Sequence, residues 1–459
     1  MRRLETGLVA WCVCVVGCAT ATERRTRADL RAIEADLQAL PASTEPERAE
    51  AAPSFDGSLD AYLRYAYETS PALRASFEQW RAATYRPAQE RRLPEPTITY
   101  AAFVRSVETR VGPQRHRLGA TQWFPWPTKL TAGGRAAGLE AEAAQRQFEA
   151  HALEIADDVA AAFWRLWRVQ RQREVLRDEV EILASLSEQI RVRVEVAAAE
   201  LADLAQVDLM VSRARDRLAG LDELERIASA RLVRVLGAPD GTATPVSKDE
   251  PWVGELGEPV ERLTADASRH PRVESLATLS DAAHERIREA RADRAPSFGV
   301  GVDWILTGPS DADPAPAGSG KDAVAVSLSL KVPLWARAYR AAEDEAEARS
   351  AAFRARAIDA RNATAAQIRE QAAKVDDDVR RVRVYETTLV PQAETTFESV
   401  LSSYAAGRTT VAELLLAERE LIGLRDELFG AQADYATDIA SLERAVGRRV
   451  RIDGGRARQ

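Results

Sequence analysis

The sequence predicts a mainly α-helical chain with two pairs of membrane-type β-strands, built as one unit used twice. The unit runs helix, two strands, then a long helical hairpin. Three observations carry this: a duplicated order of landmarks, heptad spacing in two regions poor in Gly and Pro, and clean two-residue alternation between them.

The duplication comes first, because it sets the architecture. Ser70-Pro71 and His270-Pro271 lie 200 residues apart, as do Pro96 and Pro296. Pro127 and Pro333 are 206 apart, and Leu236-Gly237 and Val446-Gly447 are 210 apart. Four landmarks in the same order, with a slowly growing offset, indicate repetition with a few loop residues added, mostly in 307–321. The domains expected are repeat 1 over 58–237, a linker over 238–262 and repeat 2 over 263–447. A tail follows over 448–459.

The N-terminus reads as a secretory leader over 1–17. Arg2 and Arg3 precede an apolar run from Leu8 to Val16, and Gly17-Cys18 resembles a bacterial lipobox. Cys18 is therefore the expected lipidation site. Residues 18–57 are expected to form a tether. Leu30, Ile33, Leu37 and Leu40 make its short amphipathic helix, and 41–54 its Pro/Ala/Glu-rich link. No later segment offers the ~20 apolar residues of a spanning helix, so any spanning structure must be a barrel.

Strands are expected near 96–104 and 117–126, and near 296–306 and 322–333. Val324, Val326, Leu328 and Leu330 alternate with Ala323, Ala325, Ser327 and Ser329. Phe298, Val300, Val302 and Trp304 alternate with Ser297, Gly299, Gly301 and Asp303. This is the apolar-out, polar-in pattern of a barrel strand. Trp123, Trp126, Trp304 and Trp335 at strand ends suit an interfacial aromatic belt. A soluble sheet with one dry face shows the same alternation. Loops are expected over 105–116 and 307–321. Four strands cannot close around a channel, whereas three chains would supply twelve.

Helical hairpins are expected over about 130–236 and 336–446. Between Gly138 and Gly220 there is neither Gly nor Pro. An unbroken helix of that length would extend ~120 Å. Phe148, Ile155, Ala162, Val169, Leu176, Leu183 and Ile190 repeat every seven residues, as do Leu414, Leu421, Leu428, Tyr435 and Leu442. Seven-residue seams mean coiled-coil packing. The seam changes register near 194–204, the expected first tip. The second tip is expected near 404–411, where Gly407 supplies the turn. Pro391 should kink the helix that ascends to it.

Composition removes other functions. Lys+Arg is 63 against Asp+Glu 71, a net charge of −8, which speaks against nucleic-acid binding. Four scattered His and no second Cys beyond the leader leave too few ligands for a metal site. No catalytic motif appears, and Gly299-Val-Gly301 lacks the third glycine of a dinucleotide loop. The chain is read as no enzyme and as needing no cofactor beyond lipid on Cys18.

In its landmarks the chain resembles the outer-membrane factors of the TolC family. The features are Ser70-Pro71 and His270-Pro271, the strand exits Gln122-Trp123-Phe124-Pro125 and Val332-Pro333-Leu334, Leu389-Val390-Pro391 ahead of Tyr404-x-x-Gly407, and the closing Leu442-Glu-Arg-Ala-Val-Gly447. The resemblance covers roughly 55–450. It implies a homotrimer with a twelve-stranded outer-membrane barrel and a long periplasmic helical barrel. It implies a passive exit duct for efflux or type I secretion, joined through a periplasmic adaptor to an inner-membrane RND or ABC pump. The alternative is a lipid-anchored periplasmic coiled-coil scaffold without a pore, which has no need of the strands. The resemblance also implies adaptor docking at the tips: Val194, Val196 and Ala198 in the first, Tyr404, Gly407, Arg408 and Thr409 in the second. Glu413 occupies the place of a pore-facing acid at the closed aperture. The next such place is Leu416, which is not acidic, and the first tip carries Ala197-Ala198-Ala199 in place of its Gly. Glu418 is nearby but on another face.

Overall fold

The structure is a computed structural model that describes residues 21–39, 53–197 and 199–453. Cys18, Leu40, Ala198 and most of the expected 41–54 link lie outside the described residues. The chain divides into two compact units. The first comprises Met1–Ile33, Glu78–Arg146 and Glu274–Ile358; the second comprises Glu34–Phe77, Gln147–Val273 and Asp359–Gln459.

In chain order the main elements begin with α1 (Ala21–Ala39), α2 (Leu59–Thr69), α3 (Pro71–Glu90), β1 (Thr97–Thr109) and β2 (Gly112–Phe124). Next come α4 (Pro127–Glu195), α5 (Leu201–Leu236), β3 (Glu255–Leu256), α6 (Val260–Ala265) and α7 (Pro271–Ala292). The chain ends with β4 (Ser297–Thr307), β5 (Ala323–Lys331), α8 (Ala336–Val384), α9 (Val390–Ala405), α10 (Val411–Val446) and β6 (Ile452–Asp453).

The first unit holds one four-stranded antiparallel sheet, ordered β1-β2-β4-β5. The loop expected over 105–116 is mostly strand, since β1 runs on to Thr109 and β2 begins at Gly112. A register shift between Ala102 and Val107 lets the ladder continue through this polar stretch, whose charged residues had suggested a loop. Beside the sheet, α1 packs on a stripe of small residues in α4. Ala132, Ala136 and Ala137 are buried there. Arg91 lies across Gly134, where a Cβ would come within 2.4 Å of its Nε, and pairs with Glu23 of α1. Leu30 is buried, as an amphipathic α1 requires.

The second unit is helical, and its seams follow the heptads. Ala162, Val169, Leu176, Leu183 and Ile190 of α4 are buried, with Val207, Val211 and Ala214 of α5. Ile368, Val375 and Val382 of α8 and Leu414, Leu421, Tyr435 and Leu442 of α10 are buried likewise. An aromatic knot of Tyr62, Phe163, Trp164 and Trp167 adds bulk where α2, α4 and α5 meet.

The duplicated landmarks meet in space. Gly237 and Gly447 end α5 and α10 in the left-handed conformation, at φ 68° and 83°. A Cβ on Gly237 would sit 3.3 Å from Pro71 Cδ, and one on Gly447 would sit 3.2 Å from Pro271 Cδ. Each repeat's closing glycine thus lies against that repeat's opening proline. Only glycine combines a positive φ with so close a neighbour.

Two local expectations change. A π-turn over Tyr385–Leu389 precedes Pro391, which then sits in the first turn of α9. Proline lacks the N–H that an unbroken helix would need there, and the wider turn absorbs the mismatch. The linker and tail are more ordered than their composition suggests. β3 pairs with β6, Tyr435 Oη donates to Gly254 O at 3.0 Å, and Arg448 binds Glu258 and Asp266.

Candidate functional site: a two-faced sheet and paired hairpin tips

The register of the sheet sorts its side chains into two opposite faces. One row aligns Tyr100, Leu118, Trp304 and Val324; another aligns Ile98, Ala120, Val302 and Val326. Large hydrophobics on this face are exposed, with Leu328 78% and Val326 77% exposed. A soluble sheet would bury such a face against a second layer. This one has nothing on it among the described residues. The other face aligns Thr97, Thr121, Gly301 and Ser327, then Thr99, Gly119, Asp303 and Ala325. It is small and polar, as a water-filled interior requires. Among the described residues the outer strands β1 and β5 each pair on one side only.

One ion pair lies on the polar face. Arg117 donates through Nε and Nη2 to Asp303 at 2.9 and 2.8 Å. The pair runs diagonally, because Gly119 stands directly opposite Asp303. A Cβ on Gly119 would lie 2.4 Å from Asp303 Oδ1, so the glycine makes the room that the carboxylate occupies. Sequence reading had not linked Arg117 with Asp303, because 186 residues separate them.

The expected aromatic belt is on the surface. Trp335 is 75% exposed, Trp126 and Trp304 are exposed, and Trp123 is half-buried. Trp304 donates its indole N–H to Asp322 Oδ2 at 3.0 Å, which satisfies its polar end at the strand boundary. Tyr100 Oη hydrogen-bonds His116 Nδ1 at 3.0 Å on the apolar face.

Residues 266–448 match the family described as outer membrane efflux protein. The matched segment covers the second repeat, with β4, β5, α8, α9 and α10. Over about 85% of its length the chain is similar in fold to solved outer-membrane channels. The outer membrane protein VceC of Vibrio cholerae shares 20% identity at a TM-score of 0.66, over 85% of this chain and 96% of that one. The CmeC outer membrane channel of Campylobacter jejuni shares 14% at 0.68, over 85% of each chain. The MtrE outer membrane channel of Neisseria gonorrhoeae, in its open state, shares 17% at 0.66, over 85% and 89%. No curated protein matches the chain by sequence. No helix of the described residues is long and apolar enough to cross a membrane.

The helical unit carries two turns. The first, over 196–200, joins α4 to α5, with Ala197 at φ 57°. Val196 is exposed and Val194 is half-buried. The second, over 406–410, joins α9 to α10. Gly407 takes φ 72° with open space around it, so conformation alone demands glycine there. Thr410 caps α10: its Oγ1 accepts from Glu413 N, and Glu413 Oε2 accepts from Thr410 N, each at 3.3 Å. Thr409 Oγ1 also donates to Glu413. Arg408 is exposed, Thr409 is half-buried, and Tyr404 packs under the Arg193 guanidinium. The capping box follows from Thr410-x-x-Glu413, a signal in the sequence that the reading of Glu413 as a pore acid left unused. Leu201 and Leu416 are also exposed near the turns, on faces where the heptads call for polar residues.

Proposed function

We propose that three copies of this chain close their sheets into one twelve-stranded outer-membrane barrel. Its polar face is the wall of a passive exit duct. The sheet supports this most directly: an apolar exposed face, a small polar face and two unpaired edges in one chain. An isolated sheet with that face toward water and those edges open is unstable, and closure removes both costs. Each protomer then adds its hairpins to a periplasmic helical barrel, whose turns dock a periplasmic adaptor. Val194, Val196, Ala198, Tyr404, Gly407, Arg408 and Thr409 are the docking residues in this reading, and an inner-membrane pump feeds the duct. Glu413 lies at the pore aperture, and Cys18 carries lipid that holds the N-terminus in the outer membrane.

The test is the protein mass of the detergent-extracted particle by light scattering, followed by conductance in a planar bilayer. Three times the mass of the mature lipidated chain, with ohmic channels, is expected. A monomer, or a trimer without conductance, overturns the duct and leaves the anchored scaffold.

A further inference from the structure

Two carboxylates are buried in the helical unit where Leu414 and Leu415 of α10 pack with Leu176 and Leu183 of α4. Glu418 of α10 is 5% exposed, and neither of its carboxylate oxygens has a hydrogen-bond partner. Glu179 of α4 is 4% exposed. Its Oε1 accepts from Arg217 Nη2 of α5 at 3.2 Å, and its Oε2 is unpartnered. Arg217 is itself 53% exposed, so water screens much of its charge. Glu179 and Arg217 also line a groove of about 630 Å3 with Leu176, Leu221 and Asp426.

Asp216 of α5 and Arg419 of α10 line the same groove, and other charges nearby are engaged elsewhere. Toward the tip, Asp208 of α5 accepts from Ser187 of α4 at 2.5 Å. On the α9 side, Glu394 is held by Arg425 at 2.8 Å. Asp426 accepts from Gln172. Two ionised carboxylates facing one shared, half-solvated guanidinium leave an uncompensated buried charge, which costs far more than a neutral acid. Burial, then the charge of Glu179, push Glu418 up to about 8, and burial also raises Glu179.

We propose that Glu418, buried beside Glu179, is a proton-binding site, in which a proton on Glu418 holds α10 against the first hairpin. The residues of the site all belong to one chain. When the proton leaves, the pair becomes a repelling dianion with one partner, and the contact at Leu183, Leu414 and Leu415 must open to admit water. Nothing in the duct reading requires this, since a capped, heptad-packed hairpin would be stable with Gln at position 418.

The direction with pH follows from linkage. Opened to water, Glu418 returns toward its ordinary value of 4.5, and closed it titrates near 8. Between those values the closed state holds more protons, so opening grows with pH, and above about 8 it levels off.

Hydrogen exchange of the full-length, detergent-extracted protein tests this, with rates corrected for intrinsic chemistry from about pH 5 to 9. Peptides over 176–190 and 411–421 are expected to lose protection by up to tenfold per pH unit, then level off above about pH 8. Glu418→Gln is expected to stay protected and flat throughout. Glu179→Gln, which removes the like charge and frees Arg217, is expected to move the levelling-off to lower pH. Infrared spectra at pH 7 should show a buried carboxylic acid C=O band that Glu418→Gln removes, a readout that does not depend on helix opening. A flat wild-type profile, the same fall in Glu418→Gln, or the absence of that band overturns the proposal. Protection that follows added sodium or calcium instead of pH puts a metal cation in the site and overturns it too.

Discussion

The Arg193 guanidinium lies over the Tyr404 ring, 5.5 Å from its centroid. Arg193 is in the last turn of α4 and Tyr404 in the last turn of α9, so one cation–π contact joins the two hairpin tips. Such contacts contribute roughly 0.5–1 kcal/mol at exposed sites. Arg193→Ala should therefore leave assembly intact and loosen the tips. The expected result is a several-fold rise in hydrogen exchange over 190–200 and 400–410, with more frequent open events in a bilayer. Arg193→Lys should recover part of the effect. Unchanged exchange would show that the heptad seams alone hold the tips.

Gly119 is the second test. An added methyl meets Asp303 Oδ1 at 2.4 Å, so Gly119→Ala must displace the carboxylate and break its bidentate pair with Arg117. The clash is with the end of a side chain on the open face, so the carboxylate turns aside and the guanidinium loses it. A lower melting temperature of the particle is expected. In the proposed pore, Asp303→Asn should shift ion preference toward anions, because it leaves Arg117 uncompensated. A reversal potential that does not move would put this face outside the conducting path.

Asp378 provides a pH test away from the tips. It is buried, accepts from Arg381 at 3.1 Å through Oδ1, and its Oδ2 is unpartnered. Burial, then Asp438 and Asp434, push it up to about 7 from 3.8. The folded state thus keeps a proton that the unfolded chain has lost, and stability falls as pH rises from about 4 to 7. Thermal unfolding of wild type and Asp378→Asn across that range checks this. The variant should be less sensitive, and equal slopes in the two proteins would rule it out.

Glu413 separates a helix cap from a pore acid. Its side chain completes the capping box with Thr410. Removing a cap costs about 0.5–2 kcal/mol of helix stability. Glu413→Gln keeps the hydrogen bonds and removes the charge, whereas Thr410→Ala removes the cap and keeps the charge. If Glu413 faces the aperture, Glu413→Gln lowers cation preference and Thr410→Ala does not. If both variants alter only stability, its role is the cap alone.

Much of the fold was legible because it repeats at short range. Val324 to Leu330 and Val300 to Trp304 alternate with period two, and Leu414 to Leu442 with period seven, so each announces its buried or exposed face. The Pro and Gly landmarks were legible as a pattern, although only the structure shows that Pro71 abuts Gly237 and Pro271 abuts Gly447. Long-range polar pairing was not legible. Arg117 with Asp303, and Glu179 with Arg217, join residues far apart in sequence, and nothing local marks them. The strand over 105–109 was hidden because its charges mimic a loop. Leu416 was read only as a missing acid, yet its exposed apolar side chain is a feature of the tip in its own right.

The two open edges of the sheet have a genetic consequence. In the proposed trimer β1 of one chain must find β5 of the next, so each ring is only as sound as its worst member. A variant that spoils one edge but still meets its neighbours would behave as dominant. Co-expressed in equal amount with wild type, it would leave about one ring in eight free of damage. A chain that closed its own barrel would carry such a lesion recessively.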